Sequence, residues 1–196
     1  MKRSLMIGAV MAVLAFVSTP SFALIDGEVY GGYNFAGKFS APAMAGVTSK
    51  DVKVSGFDYG ARAHLTGGLL IVDYGLGGYF QRKPLEYSLS SKTYELMNIN
   101  YGFDGFIRLN LPVIPIKPYA RAGLSIADYN EAKQGNTTAK LDTKYFNSYY
   151  TGFGVGLSLP IPVVLLMVYG EYLYNHQIYS GKLTGNTFNV GISLGI

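Results

Sequence analysis

The chain has 196 residues, of which 49% are hydrophobic, 14% aromatic and only 14% charged, with a formal net charge of +4. So many aromatic and apolar residues exclude intrinsic disorder, and the small share of charge is unusual for a domain that lives in water. Cysteine is absent, which excludes disulfide bonds, thiolate metal sites and cysteine nucleophiles. The length suits one folded domain.

Residues 1–23 have the pattern of a secretory signal peptide. A positively charged start precedes the apolar residues 5–17, and small residues lead up to a cleavage site between Ala23 and Leu24. The apolar run is too short for a membrane-spanning helix, which needs about 20 residues. We therefore predict a mature domain of residues 24–196. Its 14 basic and 12 acidic residues leave a charge of +2, and this small, scattered charge argues against nucleic acid as a partner.

Alternation of apolar and polar residues runs through nearly the whole mature domain and predicts β-strands. In residues 188–196, Phe, Val, Ile, Leu and Ile occupy every second position, and Asn, Gly, Ser and Gly lie between them. We predict eight strands, at about 26–38, 53–65, 69–82, 94–111, 116–129, 147–159, 163–178 and 186–196. Most are as long as the roughly 9–11 residues that a membrane-spanning strand needs, whereas strands in soluble proteins average about five or six.

The connectors between these strands are alternately long and short. Residues 39–52, 83–93 and 130–146 are long and polar, and residues 66–68, 112–115 and 160–162 are short. All the short connectors then lie on one side, as in outer-membrane barrels, where periplasmic turns are short and extracellular loops are long. An even strand count also brings the first and last strands together. The pattern predicts an all-β fold, an eight-stranded antiparallel up-and-down transmembrane β-barrel.

The same alternation would also fit a soluble barrel such as a lipocalin, with its apolar face inward. Here the polar face consists mainly of Gly, Asn, Ser and Tyr rather than Lys and Glu, and the short turns stay apolar. We therefore predict that apolar side chains face lipid and that small polar side chains face the lumen. Tyrosines near strand ends are expected to form aromatic girdles at the membrane surfaces. They are Tyr59, Tyr94, Tyr129, Tyr149, Tyr172 and Tyr174.

Strand parity places seven charged residues on the predicted lumenal face. They are Glu28, Arg62, Asp73, Asp104, Arg108, Arg121 and Glu171, and His64 lies on the same face. The topology puts the first six in the periplasmic half and Glu171 near the middle. Opposite charges meet on neighbouring strands, so we predict internal salt bridges, because an unpaired charge in a narrow lumen is costly. An ion path lined by the same charges is the alternative.

Residues 27–35, Gly-Glu-Val-Tyr-Gly-Gly-Tyr-Asn-Phe, are similar to the first strand of the small outer-membrane β-barrel superfamily. This superfamily includes the OmpA transmembrane domain, OmpX and opacity-type porin-family proteins. With the signal peptide, the eight amphipathic strands and the Gly-rich ending, the resemblance covers about residues 24–196. It implies a monomer in the cell outer membrane of a Gram-negative-type cell, inserted by the outer-membrane assembly machinery. The chain departs from the family in ending on Ile196 rather than on an aromatic residue.

The preferred function is a structural or surface-interaction role that extracellular loops carry, with the lumen plugged by salt bridges. Lysines in the predicted loops are expected to contact lipopolysaccharide phosphates, and an extracellular ligand would bind through the same loops. These lysines are Lys50, Lys83, Lys92, Lys133, Lys140 and Lys144. The alternative is a narrow porin-like channel for small solutes.

A lipid-modifying enzyme is the remote alternative. The chain resembles outer-membrane lipid A deacylases in barrel size, and those enzymes carry a lipid-facing His and a Ser two residues apart. Here His176 has lipid-facing parity, but Ile178 stands two residues later and the nearest serine is Ser180. The nucleophile is therefore missing from that position, and we predict no catalytic residues. No metal-ligand spacing or cofactor motif is present in the sequence either.

Overall fold

The computed structural model describes eight stretches of the chain. They are residues 25–40, 51–69, 71–89, 92–111, 114–135, 137–161, 164–178 and 182–196. The predicted signal peptide, the cleavage site between Ala23 and Leu24, and Lys50 lie outside these residues. Within these stretches, no helix has the length and apolar character to cross a membrane.

Nine β-strands arise from the alternating segments. They are β1 (Ile25–Ser40), β2 (Asp51–Leu69), β3 (Val72–Leu89), β4 (Lys92–Leu109), β5 (Ile116–Gln134), β6 (Thr137–Tyr145), β7 (Ser148–Ile161), β8 (Val164–Ile178) and β9 (Lys182–Gly195). Neighbours pair antiparallel in the order β4-β3-β2-β1-β9-β8-β7-β5-β6, and β4 also pairs with β5. The first and last strands pair along their whole length, from Asp26 opposite Gly195 to Ser40 opposite Lys182.

Strands β6 and β7 share one position in the barrel wall. β5 pairs with β7 from Ile116 to Leu124 and with β6 from Ala127 to Gln134. The two partner strands are separated at Phe146, whose φ of 55° turns the backbone out of the extended conformation. The described strands therefore close into an antiparallel barrel with eight strand positions, and the predicted fold class is confirmed.

The two faces of the strands differ sharply in polarity. On the outer face of β2 and β3, Phe57, Leu65 and Leu76 are 70%, 69% and 71% exposed. On the inner face of β2, Arg62 and His64 are buried. The predicted assignment of apolar side chains to the outside and polar side chains to the inside is therefore confirmed.

Most of the tyrosines that were predicted to form aromatic girdles face outward. Tyr59, Tyr129, Tyr149 and Tyr174 are exposed on the outer face. Tyr172 also faces outward and packs on Phe153, with the ring centroids 5.7 Å apart. The prediction for Tyr94 is wrong, because this side chain has the parity of buried Leu96 and stacks on Tyr87 at a centroid distance of 5.1 Å.

Two of the predicted long connectors are mainly strand. β3 continues to Leu89 and β4 begins at Lys92, so residues 83–93 form most of a hairpin. Residues 130–146 likewise contain the β5–β6 hairpin. The polar composition of both segments suggested loops, but cross-strand hydrogen bonds extend the barrel wall through them. β2 to β5 thus have 18 or 19 residues each, against the roughly 9–11 that cross a bilayer.

The two ends of the barrel are named here by their connections. The terminal end holds Ile25 and Ile196, whose backbone groups hydrogen-bond to each other at 2.9 and 3.2 Å. The loop end is the opposite end, to which the β3–β4 and β5–β6 hairpins extend. Because the strands exceed the length needed to cross a bilayer, we expect their loop-end parts to project beyond the membrane.

The projecting part contains an apolar core, which we call the apolar cap. It consists of Phe39, Val52, Val54, Leu85, Leu96 and Leu183. These side chains point inward from β1, β2, β3, β4 and β9, and all are buried. Outside the membrane the wall faces water, so apolar side chains are stabilised on the inside. The cap lines one side of the barrel interior at the loop end, and polar side chains such as Asn130 and Gln177 line the other side.

Candidate functional site in the lumen

Below the apolar cap, charged side chains fill the lumen, and their largest group is called the central cluster. It consists of Glu28, Arg62, His64, Asp104, Arg121 and Glu171. Arg62 on β2 donates from Nη1 to Glu28 Oε2 at 3.1 Å and from Nη2 to Glu171 Oε1 at 2.7 Å. Its guanidinium carbon also lies 3.9 Å from the ring centroid of Tyr30, a cation–π distance.

Arg121 makes the contacts that cross the lumen. Its Nη2 donates to Glu28 at 2.7 and 2.8 Å, and its Nη1 donates to Asp104 Oδ2 at 2.9 Å. Its Nε lies 3.3 Å from Glu171 Oε2. Arg121 stands on β5 and Glu28 on β1, four strand positions apart in a barrel of eight. This ion pair therefore joins opposite walls.

Neutral partners complete the central cluster. Three tyrosine hydroxyls donate to its carboxylates, from Tyr119 to Glu171 at 3.1 Å, from Tyr150 to Asp104 at 2.8 Å and from Tyr169 to Glu28 at 3.1 Å. These bonds matter because carboxylates out of contact with water need several donors to offset their lost hydration.

Three carboxylates and two guanidinium groups meet in the central cluster, and the imidazole of His64 lies beside them. His64 Nε2 lies 2.9 Å from Asp104 Oδ1, and its Nδ1 lies 3.8 Å from Glu28 Oε1. The imidazole is therefore placed between carboxylates from two different strands, β4 and β1.

A second, smaller group lies nearer the terminal end. Arg108 is 3.6 Å from Asp26 and 3.5 Å from Asp73, and Ser193 donates to Asp26 at 2.5 Å. Parity in the sequence selected seven charged residues, and the structure places all seven in the lumen. It brings five of them together in the central cluster and puts Asp73 and Arg108 in this second group.

Sequence reasoning missed further polar side chains of the lumen. Among the charged ones are Asp26, Asp58, Lys83, Lys117 and Asp128, and among the tyrosines are Tyr30, Tyr79, Tyr119, Tyr150 and Tyr169. The signal was available, because Asp26 has the parity of Glu28 and Tyr119 has the parity of Arg121. Tyrosine was counted among the residues of the polar face, but the individual tyrosines were not identified as partners of the lumenal charges.

Lys83 corrects one of the sequence-based expectations. It was predicted as a loop lysine that contacts lipopolysaccharide, but it lies within β3, points inward and is 0% exposed. Its ammonium group donates to Asn175 Oδ1 at 2.6 Å. Among the described residues, no carboxylate lies within 4.0 Å of it. Lys83 therefore cannot reach a lipid phosphate.

His176 has the lipid-facing position that its parity predicted. Its ring stacks on Tyr149 with the centroids 4.8 Å apart and the planes 16° apart. Ser180, the nearest serine in the sequence, lies outside the described residues. His176 therefore packs against an aromatic ring on the outer wall of the barrel.

A closed antiparallel barrel with an apolar outer face and a charged interior is the form in which strands cross a bilayer, because closure satisfies every backbone hydrogen bond. The chain has the fold of a small eight-stranded outer-membrane β-barrel protein, as its resemblance to that superfamily implied. This architecture places it in the cell outer membrane.

The chain is similar to the crystal structure of Neisserial surface protein A, with 16% identity, 91% of this chain and 100% of that chain covered, and a TM-score of 0.47. It is also similar to Ail, the attachment invasion locus protein of Yersinia pestis (14% identity, 86% and 97% covered, TM-score 0.39). A third similar structure is the outer membrane protease OmpT from Escherichia coli (9% identity, 91% and 98% covered, TM-score 0.44). No protein-family model and no curated protein matches the chain.

Proposed function

We propose that this protein has a non-enzymatic structural or surface-interaction role, which the part of the barrel beyond the membrane carries, and that the lumen is closed. The observation that carries the proposal is the pair of guanidinium groups, Arg62 and Arg121, bonded to carboxylates on opposite walls. An eight-stranded barrel encloses a space just wide enough for side chains. Side chains tied together across that space leave no continuous path for water.

The apolar cap supports the same proposal from the loop end. An ion that passed the central cluster would next meet buried polar side chains such as Asp58, Lys83 and Asn100, and beyond them the apolar cap, whose side chains offer no hydrogen bonds. Dehydrating an ion in an apolar environment is costly. The narrow porin-like channel and the lumen-plugged barrel therefore differ in their ion conductance, which can be measured directly.

We expect the folded protein to give no discrete openings in a planar bilayer. Its insertion is checked by the faster migration of the unheated barrel in a gel, and a general porin in the same bilayer serves as positive control. Reproducible single-channel steps from this protein would contradict the closed lumen. Such steps would instead make Arg62, Asp104 and Arg121 the residues that select ions.

The surface role requires the loop end to face outward from the cell. Because the chain contains no cysteine, single cysteines are clean probes of this orientation. We expect a membrane-impermeant maleimide to label Ser88→Cys, an exposed loop-end position, on intact cells. Ile114→Cys, exposed at the terminal end, should be labelled only after the cells are disrupted. The reverse pattern would overturn the proposed surface role.

Partners of this surface are part of the proposal. Two lysines of the predicted loops, Lys133 and Lys140, are exposed on β5 and β6. Lys133 lies 3.9 Å from Glu95, so this side of the projecting barrel carries both signs of charge. A mixed surface suits contact with an extracellular ligand better than contact with lipid phosphates alone.

A further inference from the structure

Three lysines lie together on the outer wall near the loop end, and we call them the lysine patch. Lys38 on β1 stands directly opposite Lys53 on β2. Lys182 on β9 pairs with Ser40, two residues along β1 from Lys38. All three side chains are exposed, and among the described residues none of them makes an ion pair within 4.0 Å. Strand register thus concentrates three unpaired positive charges on one side of the barrel.

A row of aromatic rings lies on the same side, nearer the terminal end. Five outward-facing rings on β7, β8, β9, β1 and β2 stand opposite one another in register. They are Phe153, Tyr172, Phe188, Tyr33 and Phe57. The centroids of Tyr33 and Phe57 are 5.1 Å apart. Because the strands of such a barrel tilt by about 40°, a row in register runs obliquely to the membrane plane, and its end at Tyr33 and Phe57 lies nearest the lysine patch. Aromatic rings at such a position are typical of the level of lipid headgroups.

The distance between the two features fits a lipid headgroup. Lys53 and Phe57 are four residues apart on β2, which corresponds to about 13 Å along the strand, or about 10 Å along the membrane normal for a tilt of about 40°. The flexible lysine stem lets the ammonium group reach back toward the membrane. The patch therefore lies within reach of phosphate groups just above the aromatic row.

The surrounding charges favour an anionic lipid over other occupants. Asp51 lies on the same face and accepts a hydrogen bond from Ser40 at 2.6 Å. Its charge offsets that of one lysine, so the face keeps an excess of positive charge. On the opposite side of the barrel Lys133 lies 3.9 Å from Glu95, whereas the three lysines of the patch have no ion pair within 4.0 Å among the described residues. A soluble acidic partner would approach from above, whereas these side chains project sideways from the wall, over the lipid.

We propose that the lysine patch binds the phosphate groups of a phosphorylated lipid in the outer leaflet. The proposal rests on the barrel lying in an outer membrane with its loop end outward. It assigns the lipid contact to Lys38, Lys53 and Lys182, none of which belongs to the loop lysines expected from the sequence. It does not depend on whether the lumen conducts.

The test is native mass spectrometry of the folded chain in detergent micelles, titrated with diphosphorylated lipid A and with the same lipid after removal of its phosphates. We expect Lys38→Gln/Lys53→Gln to bind the diphosphorylated lipid about 25-fold more weakly, about fivefold for each lysine. The control, Lys133→Gln/Lys140→Gln, removes the same charge from the opposite side and should bind as the unmodified chain does. Both variants should bind the dephosphorylated lipid equally.

Three results would overturn the proposal. Equal weakening in both double variants would show attraction to overall charge. Equal affinity of the unmodified chain for the two lipids would show that phosphate is not recognised. Binding of inorganic phosphate as tightly as of the lipid would show a general anion site. If Ser88→Cys were instead labelled only after the cells are disrupted, the orientation on which the proposal rests would be wrong, and this result is distinct from a failure of lipid binding.

Discussion

Replacing Arg62 with methionine is expected to lower the free energy of unfolding by about 3–5 kcal/mol, the usual effect of removing one partner from a buried ion pair. Methionine keeps much of the length of the side chain but none of its charge. Glu171 loses its 2.7 Å partner and Glu28 loses its 3.1 Å partner. Both carboxylates then remain out of water with a single guanidinium group, that of Arg121, between them. Urea titration of the barrel, followed by unheated gel mobility, measures the change.

Two further variants separate charge pairing from side-chain volume. Arg82→Met makes the same substitution on β3, where Arg82 is only partly buried and donates to the sulfur of Met97, and should have a small effect. Arg62→Met/Glu171→Gln removes one of the stranded carboxylates and should recover part of the lost stability. Equal losses for Arg62→Met and Arg82→Met would count against a central role for the ion pairs.

Replacing Leu85 with alanine is expected to lower the free energy of unfolding by about 2–5 kcal/mol, the range for large-to-small changes in a packed core. Leu85 is 0% exposed and lies in the apolar cap with Val54 and Leu96. The matched control is Glu86→Ala, on the next residue of β3, whose side chain faces water. The control should change stability by no more than about 0.5 kcal/mol.

Hydrogen exchange in the two variants adds a spatial readout. For Leu85→Ala we expect faster amide exchange mainly in the projecting parts of β1, β2, β3, β4 and β9, because the side chains of the cap come from these strands. The amides around the central cluster should keep their protection. A loss of amide protection confined to the terminal end, or no loss of protection in either variant, would show that the apolar side chains at the loop end do not form a stabilising core.

Much of this architecture was predictable because the inside and outside of a barrel alternate along each strand. The same alternation assigned the apolar side chains of Phe188 and Val190 to the outer face of the barrel. It assigned the charged side chains of Glu28, Arg62 and Glu171, on other strands, to the inner face. For the same reason the seven lumenal charges were found without knowledge of any contact. Local alternation, however, says nothing about which charges meet. The bond from Arg121 to Glu28 depends on the positions of β5 and β1 around the barrel, and hence on pairings far apart in the chain.

The sequence was least informative where a polar composition suggested a loop although the alternation of a strand continued. Residues 83–93 contain Lys, Pro, Glu and Ser and were predicted as a loop, yet Leu85 and Tyr87 keep the inward parity of β3. The wrong expectation for Lys83 follows from this error, because the side chain of a residue assigned to a loop is expected to face water. The lysine patch was missed for a related reason. Lys38, Lys53 and Lys182 are distant in sequence, and only register brings them together.

The position of the apolar cap has a consequence for how deeply the protein sits in the membrane. Along β2, outward residues change from Phe57 to Lys53 over the same stretch in which inward residues change from Asp58 to Val54. At this height the outer face of the strand therefore changes from apolar to charged, and its inner face changes from charged to apolar. Sinking the barrel would put Lys53 into hydrocarbon, and raising it would put Phe57 into water. The protein therefore has a single preferred depth, and the height of the outer membrane surface is encoded in the strand itself.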